Sequence, residues 1–190
     1  MTRSEAGAQG DDASGIDWID RLSARVGSAV GWLALAMVLV TFSVAVARYG
    51  FDSGWIAAQE STTWMHALLF MLGAAWALRT GDHVRVDVFY RKLPPRRQAL
   101  VDLLGTMLLL MPFCAYLAVQ AWPYVLQSWR IGEHSREAAG LPALYLLKSA
   151  ILATALLLML QGLSEAVRAW RRLRTPAVAP AATPQAGGPA

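Results

Sequence analysis

The densest set of chemically capable side chains is the segment RTGDHVRVDVF, where Arg79, Asp82, His83, Arg85 and Asp87 fall within nine residues. A metal ion would find one histidine and two carboxylates there, with the cationic Arg85 between them, which is poor ligation. The other histidines, His66 and His134, lie in separate segments. A bis-histidine haem needs two imidazoles facing each other inside a bundle, and only His66 sits within an apolar run. Elsewhere, His66 reads as a helix-packing hydrogen-bond partner. The single cysteine, Cys114, excludes an internal disulfide and a cysteine zinc site. It lies in an apolar run, where a thiol behaves as a small hydrophobe. No phosphate-binding loop and no Ser/His/Asp order is present. The expectation is a chain that is not an enzyme and carries no cofactor.

The elements that would position these residues are apolar and long. The 190 residues are 56% hydrophobic and 16% charged, and the mean hydropathy is +0.38. Soluble domains carry more charge. The apolar residues come in blocks, which predicts an all-α integral membrane protein. Four transmembrane helices are expected, at about 26–47, 61–78, 103–129 and 144–164. Each block is close to the length that crosses a hydrocarbon core of about 30 Å. A helix satisfies its own backbone polar groups in lipid, and no period-two barrel pattern competes with it. The last span reaches its full length only if Lys148 snorkels or pairs. Pro94-Pro95 ends what precedes it, and Pro95 suits the first turn of a new helix. From Pro95 to Trp129 that helix would be about 50 Å long, so it must tilt, kink or protrude. Pro112 and Pro123 are the kink points.

Lysine and arginine set the orientation. The N-terminal segment, the Arg79–Asp102 connection and the C-terminal tail together hold 13, and the other two loops hold 4. The positive-inside rule then puts both termini and the Arg79–Asp102 loop in the cytoplasm. The net charge of +4 follows from this topology and indicates no nucleic-acid partner. Ile16, Ile19, Leu22 and Val26 form one helical stripe, with Asp17, Asp20, Arg21 and Arg25 largely elsewhere. That pattern predicts a short amphipathic helix lying at the cytoplasmic interface. Residues 1–15 and the Pro/Ala-rich residues 175–190 are expected to be disordered around a membrane domain spanning 16–174.

None of the predicted spans holds a carboxylate at depth, as an ion-coupled carrier generally needs. A membrane scaffold without an evident site implies a partner that has one. A stand-alone redox protein and a small self-contained transporter are the alternatives. Charged and small residues gather at the helix ends. Arg48 closes the first span in ARYGF, and Glu60 opens the second in QEST, where an acid suits the helix dipole. Arg48 and Glu60 stand at one membrane level, either paired or separately solvated. Gly73, with Ala74 and Ala77, makes a small-residue surface for close helix packing. Gly140-Leu141-Pro142 leads into the last span, ahead of Lys148.

In this order, RYGF, the Glu60 opening, LGAAWALRTGDHVRVD and GLP resemble the small membrane subunit of tripartite ATP-independent periplasmic (TRAP) transporters, the DctQ-like family. The resemblance runs from about Trp32 to Trp170. The segment GEHSREAAGLPALYLLKS is similar to the branch associated with 2-oxo acids and related organic acids. The resemblance implies a sodium-driven importer of organic acids. Its substrate would arrive on a periplasmic substrate-binding protein, and a large TRAP membrane subunit would carry the substrate and sodium sites. The small subunit would widen and anchor the immobile scaffold. No family motif accounts for His66 with Thr62-Thr63-Trp64. The opening segment has two readings. Extended, Val84, Val86 and Val88 share one face and His83, Arg85 and Asp87 the other. Helical, His83, Asp87 and Arg91 stack at i, i+4 spacing. Both make it a structural or subunit contact.

Overall fold

The computed structural model describes residues 3–81, 90 and 92–174, with side chains from Asp17 onward. The described residues are helical, with no strand among them. The helices are α1 (Arg3–Phe51), α2 (Ile56–Thr80), α3 (Pro95–Gly105), α4 (Met111–Ile131) and α5 (Leu144–Arg174). By length and composition, three stretches can cross a membrane: Asp17–Phe51, Pro95–Ile131 and Leu144–Arg174. The expected second span falls inside α2. Gln59, Glu60, Ser61, Thr62, Thr63 and His66 make the first half of that helix too polar to stand with the others. The segment Asp82–Phe89 and residues 175–190 lie outside the described residues.

Two expectations change. The amphipathic stripe at Ile16–Val26 is not a separate interfacial helix, because α1 runs through it without a break. Part of its polar side turns inward, with Asp20 half-buried and Ser23 2% exposed, while Asp17, Arg21 and Arg25 stay exposed. Nor does the helix wait for residue 16, since its backbone begins at Arg3. Gly7, Gly10 and Gly15 disfavour a helix there, but adding turns to an existing helix costs far less than starting one.

The long Pro95–Ile131 rod is interrupted where proline requires it. Pro112 has no N–H to donate, and its ring crowds the carbonyl four residues back. Thr106–Leu110 relieves this with one π-helical turn, in which the Met111 N–H donates to the Thr106 carbonyl. Pro123 is carried inside α4. At the other end, Pro94 caps α3 and its carbonyl accepts from the Arg97 and Gln98 N–H groups at 2.8 and 3.1 Å. The Gln98 side chain donates to the Tyr90 and Leu93 carbonyls, tying the incoming chain to the helix. The Tyr90 hydroxyl reaches Asp102 at 2.7 Å.

Helix α5 is the centre of the arrangement. It packs against α1, α2, α3, α4 and the π turn, while α1 flanks α2 and α4 flanks α5. The seams are made of small residues: Ala75, Ala99, Cys114, Ala121, Ala150, Ala155, Ala166 and Ala169 are all buried. A Cβ on Gly27 would collide with the Trp76 ring where α1 crosses α2. One on Gly162 would sit 2.9 Å from the Leu110 side chain at the π turn. Small residues let helix backbones approach closely, the contact that apolar solvent favours. The bulky side chains point the other way: Phe42, Phe70, Leu109, Phe113 and Val119 are exposed.

Candidate functional site: polar clasps at both ends of the helices

One clasp joins the start of α2 to the loop between α4 and α5. That loop is closed on itself. Gly132 ends α4 in the left-handed region at φ +56°. The Glu133 N–H returns to the Ser128 carbonyl, the Glu133 carbonyl accepts from Leu144 N–H at 3.0 Å, and Ser135 N–H donates to the Leu141 carbonyl at 3.2 Å. Glu60 plugs into the loop from across the bundle. Its carboxylate accepts from the Leu141 N–H at 2.6 Å, and the Ser135 and Trp64 side chains stand close to it. Gly140 is required there, because a Cβ would lie 2.5 Å from the Ser135 hydroxyl and 2.6 Å from the Glu60 carboxylate.

Beside it, Lys148 Nζ meets the Glu133 carboxylate at 2.5 Å and stands 4.0 Å from the centre of the Tyr124 ring. Lys148 holds the Glu133 carboxyl below its ordinary 4.5. The Trp129 indole donates to Ser149 at 2.8 Å and its ring packs 4.6 Å from that of Tyr145.

The second clasp joins α1 to the far end of α5. Asp20 accepts from Gln161 at 3.1 Å and from Ser164 at 3.3 Å, and its other oxygen pairs with Arg168. Arg168 also holds Glu165 at 2.5 Å. Ser23 donates to the Gln161 carbonyl oxygen at 2.7 Å. Gln161 is fully buried, and its amide is engaged at both ends. Lys148 and Arg168 are separated by about 30 Å along α5 at helical rise, close to the thickness of a hydrocarbon core.

The structure brings together Glu60, Gly140 and Leu141, with Pro142 exposed at the loop edge and Lys148 one turn into α5. It does not join Arg48 to Glu60. Arg48 is exposed in a shallow groove with Gln59 and Thr62, and Glu60 is committed to the loop. Gly73 is half-buried, yet nothing lies within 4 Å of the place its Cβ would occupy, so no described helix packs closely at that position. His83, Arg85 and Asp87 lie outside the described residues. His66 forms no helix-packing hydrogen bond to a described residue. It faces an open groove of 660 Å³ between α1 and α2, 6.0 Å from Phe70.

Sequence reasoning missed Glu133, Ser135 and the whole Asp20 network. A signal for the last was present. Gln161, Ser164 and Arg168 recur at helical spacing on an otherwise apolar helix, and Asp20 and Ser23 stand three apart on α1. Such polar stripes face protein rather than lipid.

Chemically, both clusters hold helices to helices. Among the described residues no group of three His, Cys, Asp or Glu could hold a metal ion.

The sequence model of the family described as tripartite ATP-independent periplasmic transporters, DctQ component, matches residues 17–172. A protein of Haemophilus influenzae described as a TRAP transporter small permease is 39% identical over 88 residues, which are 46% of this chain and 53% of the relative. The C4-dicarboxylate TRAP transporter small permease protein DctQ of Vibrio cholerae is 32% identical over 89 residues, 47% of this chain and 38% of the relative. The aligned part thus spans about half of the first relative and less of the second. No solved structure matches.

Proposed function

The chain belongs to the DctQ component family of tripartite ATP-independent periplasmic transporters, and we propose that it acts there as the small permease subunit, a membrane scaffold that carries no substrate site. Its partners in this reading are a large TRAP membrane subunit, a periplasmic substrate-binding protein and the lipid bilayer. The assembly imports an organic acid on a sodium gradient.

One observation carries the scaffold role. Two carboxylates near the helix ends are spent on bonds within the chain: Glu60 on the α4–α5 loop and Asp20 on α5. What remains for a partner is a broad face of exposed bulky apolar side chains. A carrier needs the reverse, polar groups at depth and free for cargo.

In the proposed placement, α2 is the fourth crossing. It has 25 residues, about 37 Å at helical rise, and runs between α1 and α5. Both termini are cytoplasmic, in the inner membrane, and the Glu60 clasp lies at the outer face. The Gly73 surface and the connection holding His83, Arg85 and Asp87 are assigned to contact with the large subunit.

The test is reconstitution. Proteoliposomes containing the large subunit and the binding protein should take up substrate only when this chain is included, and the chain should co-purify with the large subunit. Full uptake without it, or uptake by this chain alone, refutes the scaffold role.

A further inference from the structure

A pocket of about 450 Å³ opens beside Lys148, between the last turns of α4 and the start of α5. Ser128 is among its lining residues. This side chain is fully buried and makes no hydrogen bond; it approaches Glu133 without a formed bond. A buried hydroxyl left unsatisfied is unfavourable, so the pocket is short of an acceptor.

Its charges ask for the same thing. Lys148 is occupied by Glu133 and the Tyr124 ring. Arg136, on the exposed rim, forms no ion pair with a described residue and leaves the pocket with an excess of one positive charge. A guanidinium presents a planar fork of donors that matches phosphate oxygens.

The surroundings indicate what the phosphate belongs to. Trp129 and Tyr145 mark an aromatic belt at this level. Towards the bilayer centre, Ile131, Gln127, Tyr124, Gln120, Tyr116 and Phe113 follow one another at steps of four and three along α4, all exposed. Tyr124, Tyr116 and Phe113 on that line offer aromatic surface to hydrocarbon chains.

We propose that this pocket binds the phosphodiester headgroup of a phospholipid, with Arg136 and Ser128 on the phosphate and the acyl chains lying along Tyr116 and Phe113. The proposal rests on α4 and α5 crossing the membrane, and not on the part the chain plays in transport. A bound lipid would fix the closed α4–α5 loop, and with it the clasp that receives Glu60.

The test uses the full chain extracted in mild detergent, with native mass spectrometry to count retained phospholipid. The wild type should keep one phospholipid per chain. Arg136→Gln and Ser128→Ala should each lower occupancy about tenfold, the loss of one charge-assisted or buried hydrogen bond. Arg130→Gln, one turn away and outside the pocket, should leave it unchanged. Circular dichroism checks the fold of Ser128→Ala; should that variant misfold, the exposed Arg136→Gln decides. Added inorganic phosphate should not displace the lipid. Retention by Arg136→Gln equal to wild type, binding of inorganic phosphate with no retained lipid, or a photoreactive group at Ile131 that captures protein in place of lipid would each overturn the assignment.

Discussion

The Asp20–Arg168 pair offers a test of how α1 is fastened to α5. Exposed ion pairs contribute about 0–1 kcal/mol, and breaking a fully buried pair by removing one partner costs about 3–5 kcal/mol. Here the side chains keep 20% and 27% exposure, so the pair belongs between those limits. The two partners are not equivalent. Asp20→Ala also strips an acceptor from Gln161 and from Ser164, both buried, and an unsatisfied buried donor costs about 1–3 kcal/mol. Arg168→Met leaves Asp20 with those two bonds, and it also takes the partner from Glu165, a part-exposed contact within one helix that contributes about 0–1 kcal/mol. The expected losses are about 2–4 kcal/mol for Asp20→Ala and about 1–3 kcal/mol for Arg168→Met. The double variant should fall short of their sum by about 1–2 kcal/mol, since the ion pair is counted twice in the sum. Thermal unfolding in detergent, followed by tryptophan fluorescence, reads this. For a chain of this size each kcal/mol moves Tm by about 2–4 °C. A larger loss from Arg168→Met than from Asp20→Ala, or strict additivity, would show that the network does not hold α1 to α5 as described.

Three further outcomes are expected. Gly140→Ala places a Cβ against Ser135 and Glu60 and should cost about 1–3 kcal/mol by overpacking; Ser135→Ala in the same chain should restore part of it, and no restoration would mean the strain lies elsewhere. Arg48→Ala and Glu60→Ala should be additive, because Glu60 is bonded to Leu141 and not to Arg48; a double-mutant cycle with clear coupling contradicts the geometry. The Glu133 carboxyl is held below its ordinary 4.5, so the unfolded chain binds the extra proton first as pH falls. The stability it contributes is fully present above that value and disappears as pH drops through the lower folded one. Glu133→Gln should therefore flatten the acid limb of the Tm–pH curve, and an unchanged acid limb would remove Glu133 from it.

The helices were legible in the sequence because uncharged runs have few other structures open to them in lipid. The start at Pro95, the disturbance near Pro112 and the pairing of Lys148 follow from residue chemistry that needs no tertiary information. The partners were not legible. Glu60 has Arg48 close by in sequence and at the same level, and electrostatics alone favours that match. What decides otherwise is the closed α4–α5 loop, which presents the Leu141 N–H and the Ser135 side chain eighty-one and seventy-five positions away. Likewise, Asp20 on an amphipathic stripe reads as solvent-facing until α5 is known to run past it. The small residues at Gly27 and Gly162 gave no sign of which helix each would meet. The segment around Asp87 lies outside the described residues, and its role stays with the proposal above.

The two clasps also explain how an open layer of helices can hold its shape. In lipid the apolar faces of α1, α2, α4 and α5 gain little by meeting, since hydrocarbon solvates them as well as they solvate each other. Close contact along alanine and glycine seams supplies packing but weak direction, because one small-residue face resembles the next. Direction has to come from groups that cannot be left alone. Polar side chains at the ends of the spans meet that condition, since an unpaired one at the membrane boundary loses water without gaining a partner. The Glu60 clasp fixes α2 against the α4–α5 loop at one end, and the Asp20 clasp fixes α1 against α5 at the other. Two fastenings about 30 Å apart along α5 define both register and tilt, which neither could do singly. The bulky side chains are thereby left outside, on a face that none of the described helices covers.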